Sequence, residues 1–313
     1  MQMSVIEWLL DSDPSIRWQV MRDLGGESDA SVARERRRMA SEGWAARLLD
    51  LQGADGHWGG AAFVPRAWIS TMDTLQLLRD LGIDPASDRM RRAIGQVRDH
   101  CTWGEGFDNA PFFAGEVEPC INGRVLAIGA YFGEASDRLA GRLLQEQLSD
   151  GGWNCDAPPS RRSSFHTTIC VLEGLLEYET AKGPKPDVTG ARLRGQEYLL
   201  ERRLLRSRST GQIIGTDRKT GLKPAWTEMS FPTRWHYDIL RGLDYLRRAG
   251  VAPDERMAEA IDLVRKKRDE HGRWALENPH PGPAHFEMEG GAGEPSRWNT
   301  LRALRVLRWA GAS

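Results

Sequence analysis

Apolar positions along the chain fall into two alternating kinds of segment. One kind is dense in apolar and small residues, over 72–81, 121–132, 169–178, 239–246 and 301–309. The other repeats its apolar residues every three or four positions and keeps one charged face, over 30–51, 89–100, 139–147, 191–204 and 256–267. Both patterns are helical. A short stretch at 5–10 reads as a first member of the charged kind. Helices with a charged face lie at a surface, and helices apolar all round are buried. The order therefore predicts outer helix, loop, inner helix, six times over. Strand signals are nearly absent. The chain reads as all-α, and the pattern runs through 1–313 as a single domain.

The inner segments share a beginning. Pro14-Ser15-Ile16-Arg17-Trp18, Pro65-Arg66-Ala67-Trp68, Pro119-Cys120-Ile121-Asn122, Pro232-Thr233-Arg234-Trp235 and Pro295-Ser296-Arg297-Trp298 each set a proline before polar or aromatic residues and an apolar run. Ser163-Ser164-Phe165-His166 has serines in that place. Proline suits the first helical position and serine the cap, so each segment is expected to open a helix. If the inner helices run parallel, their positive ends gather at one mouth and suit an anion there. The side chains at that mouth would be Arg17, Trp18, Arg66, Trp68, Glu116, Glu118, Cys120, Asn122, Arg124, His166, Thr167, Arg234, Trp235, His236, Tyr237, Arg297, Trp298 and Asn299. Arginine and histidine are seldom buried without partners, which implies a polar cavity holding a ligand. The competing reading has Arg–Glu pairs, such as Arg17 or Arg297 with Glu116, knitting the helices together, and the tryptophans as core packing. Two long connections, 206–230 and 279–295, are candidate covers for the mouth, and the second carries His280 and His285.

Composition narrows the partners. The chain has 313 residues with a formal net charge of -1, so no basic field favours nucleic acid. No apolar run reaches the roughly 20 residues of a membrane-spanning helix. Glu7, Asp11 and Asp13 interrupt the start, which lacks the basic region of a signal peptide. Cys101, Cys120, Cys155 and Cys170 read as reduced thiols of a cytoplasmic protein. A small-molecule substrate is the expected partner. No obligate protein partner is evident, and the oligomeric state is open.

Three loops repeat: Gln52-Gly53-Ala54-Asp55-Gly56-His57-Trp58, Gln147-Leu148-Ser149-Asp150-Gly151-Gly152-Trp153 and Arg268-Asp269-Glu270-His271-Gly272-Arg273-Trp274. They resemble the QW motif of squalene and oxidosqualene cyclases and the related turns of protein prenyltransferase β subunits. The third copy lacks the glutamine. The resemblance implies an (α/α)6 barrel, or α/α toroid, of the terpenoid-cyclase and prenyltransferase superfamily. Val117-Glu118-Pro119-Cys120 and Phe165-His166-Thr167, followed by Gly174-Leu175, resemble the zinc site of prenyltransferase β subunits, with Glu118 standing where that family has aspartate. The resemblance implies Glu118, Cys120 and His166 as zinc ligands, with Cys155 in reach as a fourth. Three ligands and an open position would hold a substrate thiol or water deprotonated.

The leading expectation is an enzyme of this superfamily acting on a small anionic or isoprenoid substrate, possible zinc included. Arg17, Arg66, Arg124, Arg234 and Arg297 would bind the anionic part, and Trp18, Trp68, Trp235 and Trp298 the apolar part, with Asn122 and Asn299 as further binding groups. His236 and Tyr237 are candidate proton-transfer groups. A metal-independent cyclase is the alternative, with Glu116 or Glu118 as the acid, since the Asp-x-Asp-Asp stretch of squalene–hopene cyclases is absent. A ligand-binding barrel without turnover is the third reading.

Overall fold

The computed structural model describes residues 3–214 and 225–312. Its helices in chain order are α1 (Val5–Leu10), α2 (Pro14–Val20), α3 (Asp29–Arg38), α4 (Gly43–Asp50), α5 (Thr71–Leu81), α6 (Asp88–His100), α7 (Pro119–Phe132), α8 (Asp137–Gln145), α9 (Phe165–Lys182), α10 (Pro186–Leu200), α11 (Ile239–Arg248), α12 (Ala258–Lys266) and α13 (Arg297–Trp309). The predicted alternation is present with one split. The outer segment 30–51 divides into α3 and α4 at Gly43, whose φ is 76°. A side chain there would strike the Asp13 carboxylate and Pro14, so glycine lets α4 start against the cap of α2. Asp13 serves both helices: it accepts Ser15 N–H at 2.9 Å and Trp44 N–H at 2.7 Å.

The helix starts differ from the proline pattern in half the cases. Pro14 and Pro119 do stand in first turns, and Ser164 caps α9. However, α5 is capped by Ser70, α11 by Asp238 and α13 by Ser296. A cap needs a side-chain acceptor at the right spacing, and these residues supply it where the upstream prolines cannot. Arg66, Trp68, Arg234, Trp235, His236 and Tyr237 therefore sit in the loops that precede helices.

Six helices form a closed circuit of contacts. Trp18 and Gln19 of α2 donate to the Leu81 carbonyl at the end of α5, at 3.2 and 3.0 Å. Asp73 of α5 pairs with Arg124 of α7 at 2.5 Å. α7 packs most extensively against α9. Glu173 of α9 pairs with Arg241 of α11 at 2.8 Å. α11 packs on α13, and Arg305 of α13 returns to Gln19 of α2 at 2.8 Å. All six helices line one hollow of about 310 Å³, through the C-terminal halves of α2, α5 and α7 and along the lengths of α9, α11 and α13. Its wall carries Arg22, Arg36, Arg79, Arg241, Arg247, Arg248, Arg302 and Arg305 against Asp80, Glu173, Glu177 and Asp244.

The three repeated loops fold alike. Trp58, Trp153 and Trp274 are fully buried. Each indole donates to a carbonyl of the preceding outer helix: Leu48 at 2.6 Å, Leu143 at 2.6 Å and Val264 at 2.7 Å. Each backbone N–H donates to a threonine hydroxyl of the following inner helix: Thr71 at 3.2 Å, Thr168 at 3.0 Å and Thr300 at 3.0 Å. Gln52 and Gln147 reach the next outer helix, at the Ala93 carbonyl (3.0 Å) and the Ala191 carbonyl (2.9 Å). In the third copy Arg268 replaces glutamine and lies 5.9 Å over the Trp274 ring. A two-stranded pair, β1 (Trp274–Ala275) with β2 (Pro295–Ser296), follows it.

The α7–α9 contact is backbone to backbone. A methyl at Gly123 would lie 2.6 Å from the Cys170 carbonyl, and one at Gly174 would fall on the Gly123 carbonyl. Neither obstacle is a side chain that could turn away. We expect Gly174→Ala to destabilise the fold by about 1–3 kcal/mol through overpacking. Chemical denaturation would read this as a lower midpoint at unchanged slope.

Candidate functional site

The α7–α9 approach places the starts of both helices side by side. Glu118 stands at the N-cap position of α7 with its side chain uncommitted to capping, Cys120 lies in the first turn, and Cys155 reaches in from the loop before α9. One ligand atom from each of the three lies within 4.8 Å of the others. Cys155 Sγ accepts Cys120 N–H at 3.4 Å and the Thr167 hydroxyl at 3.4 Å. Cys120 Sγ–H lies 3.5 Å from Glu118 Oε2. The Cys120 hydrogen bond, helped by Thr167 and against the effect of burial, holds the Cys155 thiol below the usual range. Cys120 moves the other way, through that same bond and through burial.

His166 stands apart from this cluster. Its Nδ1 accepts Tyr237 N–H at 2.8 Å, and its Nε2 faces Trp226 Nε1–H at 3.4 Å. Both ring nitrogens are engaged by the loop before α11, so the expected Glu–Cys–His set becomes Glu118, Cys120 and Cys155. A carboxylate with two thiols is a donor set suited to zinc, and exposed Glu118 leaves the approach open.

Next to His166 is a stack of rings. Trp235 lies on His236 at 3.9 Å between centroids, and His236 lies on His280 at 3.7 Å. His236 Nδ1 and His280 Nε2 are buried and have no partner among the described residues. Burial, reinforced by neighbouring cations and histidines, pushes His236 down to about 3; burial takes His280 to about 4 against the pull of Asp238. Both are neutral at pH 7.

His280 belongs to the 279–295 connection, which covers a second cavity of about 410 Å³. Trp68 fastens this cover. Its backbone N–H donates to the Pro283 carbonyl at 2.7 Å, and its indole to the Pro281 carbonyl at 3.1 Å. His285 Nε2 meets the Thr74 hydroxyl at 2.9 Å, and Arg47 lies 3.8 Å over the Phe286 ring. Trp68, Leu77, Phe231, Leu276, Phe286 and Met288 make an apolar wall. Arg234, His280, His285, Glu287 and Glu289 are the charged and titratable groups among the described residues that line it. Of the other expected cover, 206–230, residues 215–224 lie outside the described residues.

Arg234 is the unusual member. It is 7% exposed, with φ 54°. Its guanidinium lies 5.1 Å over the Trp68 ring and makes no ion pair or hydrogen bond among the described residues. Burial lowers it to about 10, Asp73 opposing and Arg124 adding to the effect. Arg124, by contrast, is paired: Asp73 accepts from its Nη2 and Gln76 from its Nε.

Other expected site residues go elsewhere. Arg17 pairs with Glu35 of α3 at 2.6 Å, and Arg297 donates to the Trp8 and Asp11 carbonyls, so both fasten outer helices. Arg66 is exposed. Trp18 and Trp298 line the 310 Å³ hollow, Trp298 stacked on Phe231 at 4.4 Å. Glu116 folds back onto the Val117 and Glu118 N–H groups of its own loop. Tyr237 donates to the Leu204 carbonyl at 2.7 Å. Asn122 and Asn299 tie loop backbone to helix starts through Glu116 and Ala275. Glu289 was not foreseen. It accepts the Ser296 hydroxyl at 2.6 Å and Trp298 N–H at 2.9 Å, and burial raises its carboxyl. Its only mark in the sequence is an acid within a Gly/Pro-rich loop.

No protein-family model matches the sequence, and no curated protein matches it. Among solved structures, a protein from Actinoplanes is 18% identical, with TM-score 0.44, over 96% of this chain and 90% of that one. The apo type II terpene cyclase MstE from Scytonema is 17% identical, with TM-score 0.45, over 96% of this chain and 89% of that one. A variant of that cyclase with merosterolic acid A is 16% identical, with TM-score 0.46, over 96% and 87%.

The stacked histidines set a pH dependence. Their folded-state values lie below the ordinary 6.5, so the unfolded chain binds more protons between the two. The stability they contribute is full above pH 6.5 and drains away as pH falls toward 4 and 3. Melting temperature should drop over that window, and less steeply in His236→Phe.

Proposed function

We propose that this chain is a single (α/α)6 toroid of the terpenoid-cyclase and protein prenyltransferase kind, and an enzyme. Its substrate is a small molecule with an anionic end and an apolar, isoprenoid-like body. The closed circuit of six helices and the three tryptophan turns support the toroid. The observation that carries the activity is Arg234: a buried guanidinium with no ion pair among the described residues, facing a largely apolar cavity. Burying a charge costs several kcal/mol unless it is compensated, and a carboxylate or phosphate on the ligand supplies that compensation.

In this reading the anionic end sits on Arg234 and the apolar body packs on Trp68, Leu77, Phe286 and Met288. The 279–291 cover excludes water, which strengthens the ion pair. His280, neutral and unbonded at Nε2, is the group available to take or return a proton there. Glu118, Cys120 and Cys155 would hold zinc, which supplies a deprotonated thiol or water at neutral pH. Thr167 and the Cys120 N–H orient the Cys155 sulfur. The four cysteines are free, which suits a cytoplasmic setting. No helix among the described residues is long and apolar enough to cross a membrane. Glu289 favours a second reading, a cyclase without metal: its carboxyl is raised by burial, lines the same cavity, and is better placed than Glu116 to give a proton.

Two measurements test this. Calorimetry with a medium-chain fatty acid should show binding that Arg234→Leu weakens about ten- to a hundred-fold, as loss of a buried charge-assisted hydrogen bond does. Equal affinity in the variant would remove the role of Arg234. Elemental analysis should find roughly one zinc per chain, lost in Cys155→Ala and kept in His166→Ala. Full zinc in Cys155→Ala, or none in the unaltered protein, leaves the metal-free reading.

A further inference from the structure

We propose that the arginine-lined hollow enclosed by the six inner helices is a second ligand site, for a multiply charged oxyanion: a phosphate or diphosphate group. It is distinct from the cavity under the 279–291 cover, and Phe231 is the one residue lining both. The inference does not rest on the activity proposed above.

Charge balance is the first argument. Eight arginines line the hollow and four carboxylates face them. Asp23, just outside, is shared between Arg22 and Arg305. Even with Asp23 counted, the guanidiniums exceed the carboxylates among the described residues by three. Arg36 donates only to neutral oxygens, the Gly82 and Ile83 carbonyls and the Tyr131 hydroxyl. Arg302 is 6% exposed and makes one hydrogen bond among the described residues, to the Ser230 carbonyl at 3.0 Å. Its other N–H groups are left to the hollow. Helix C-termini carry partial negative charge, which eases the burial of cations there. That effect is worth fractions of a charge and does not cancel a surplus of three.

Access is the second argument. The guanidinium-bearing side chains grade from buried to open. Arg241 and Arg79, on the floor, are 3% and 5% exposed, whereas Arg248 and Arg22, at the rim, are 39% and 49% exposed. An anion entering past the rim meets Arg36 and Arg302, which have no ion pair among the described residues, and guanidinium forks grip phosphoryl oxygens in pairs. The volume, about 310 Å³, lies at the small end of ligand pockets and fits a charged head group with a short substituent.

The test is calorimetry on the full chain with inorganic diphosphate, inorganic phosphate and an alkyl diphosphate ester. The expected result is saturable binding of diphosphate that weakens with added salt, about ten- to a hundred-fold weaker in Arg302→Gln and partly kept in Arg302→Lys. Tighter binding of the ester than of inorganic diphosphate assigns the site to an organic diphosphate, and the reverse order to the free ion. Ligand-free Arg302→Gln should melt no lower than the unaltered protein, because it removes a surplus buried charge. If that variant does not fold, Arg36→Gln on the outer helix α3 gives the same reading. Absence of binding at millimolar diphosphate, or undiminished binding in the arginine variants, overturns the proposal. Fatty-acid binding under the 279–291 cover should be unchanged in Arg302→Gln, which separates failure of this site from failure of the other.

Discussion

Gly123 and Gly174 let the backbones of α7 and α9 touch, and the arrangement at the adjoining helix starts depends on that contact. With side chains at either position the two helices would stand further apart. The contact puts Cys120 and Thr167 on either side of Cys155. It also presents His166 to the loop before α11, which takes both of its ring nitrogens. A spacing set by two absent side chains thus decides which sulfur and which imidazole can share a ligand.

Charge is distributed unevenly around this frame. Near the helix starts, Asp73 and Arg124 form a sealed pair with side chains 0% and 3% exposed. Such a pair contributes order more than stability, since desolvation offsets most of its attraction. Arg234 lies close by without an ion pair among the described residues, under a cover fastened by Trp68. Toward the other end, Glu173 holds both Arg79 and Arg241, and arginine outnumbers acid. Two unlike cavities result, one with an apolar wall in which Arg234 has no ion pair among the described residues, the other lined by arginines that outnumber the acids facing them.

The helix alternation was legible because apolar periodicity reports burial directly, and it reports little else. The 30–51 segment reads as one helix since Gly43 interrupts the backbone without interrupting the pattern. The shared prolines suggested six equivalent starts, but capping by Ser70 and Asp238 moved the Trp68 and Arg234 segments into loops. Arg17 and Arg297 look alike in sequence to Arg234, and only packing separates an arginine that ties down an outer helix from one that faces a cavity. Cys155 was foreseen at the Glu118–Cys120 cluster, whereas the turning away of His166 depends on a loop whose course no local pattern encodes. The arginine hollow left a trace that went unread: Arg79, Arg241, Arg302 and Arg305 stand inside segments that are otherwise apolar.

The return of α13 to α2, through Arg305 and Gln19, has a consequence for how the protein comes into being. Five walls of the arginine hollow are translated before α13 supplies the sixth. A nascent chain in which α13 has not yet been made has its guanidinium groups open to water and no enclosure. The hollow becomes a place that can retain a molecule only once α13 docks, so any occupant must arrive after that step and leave through the rim.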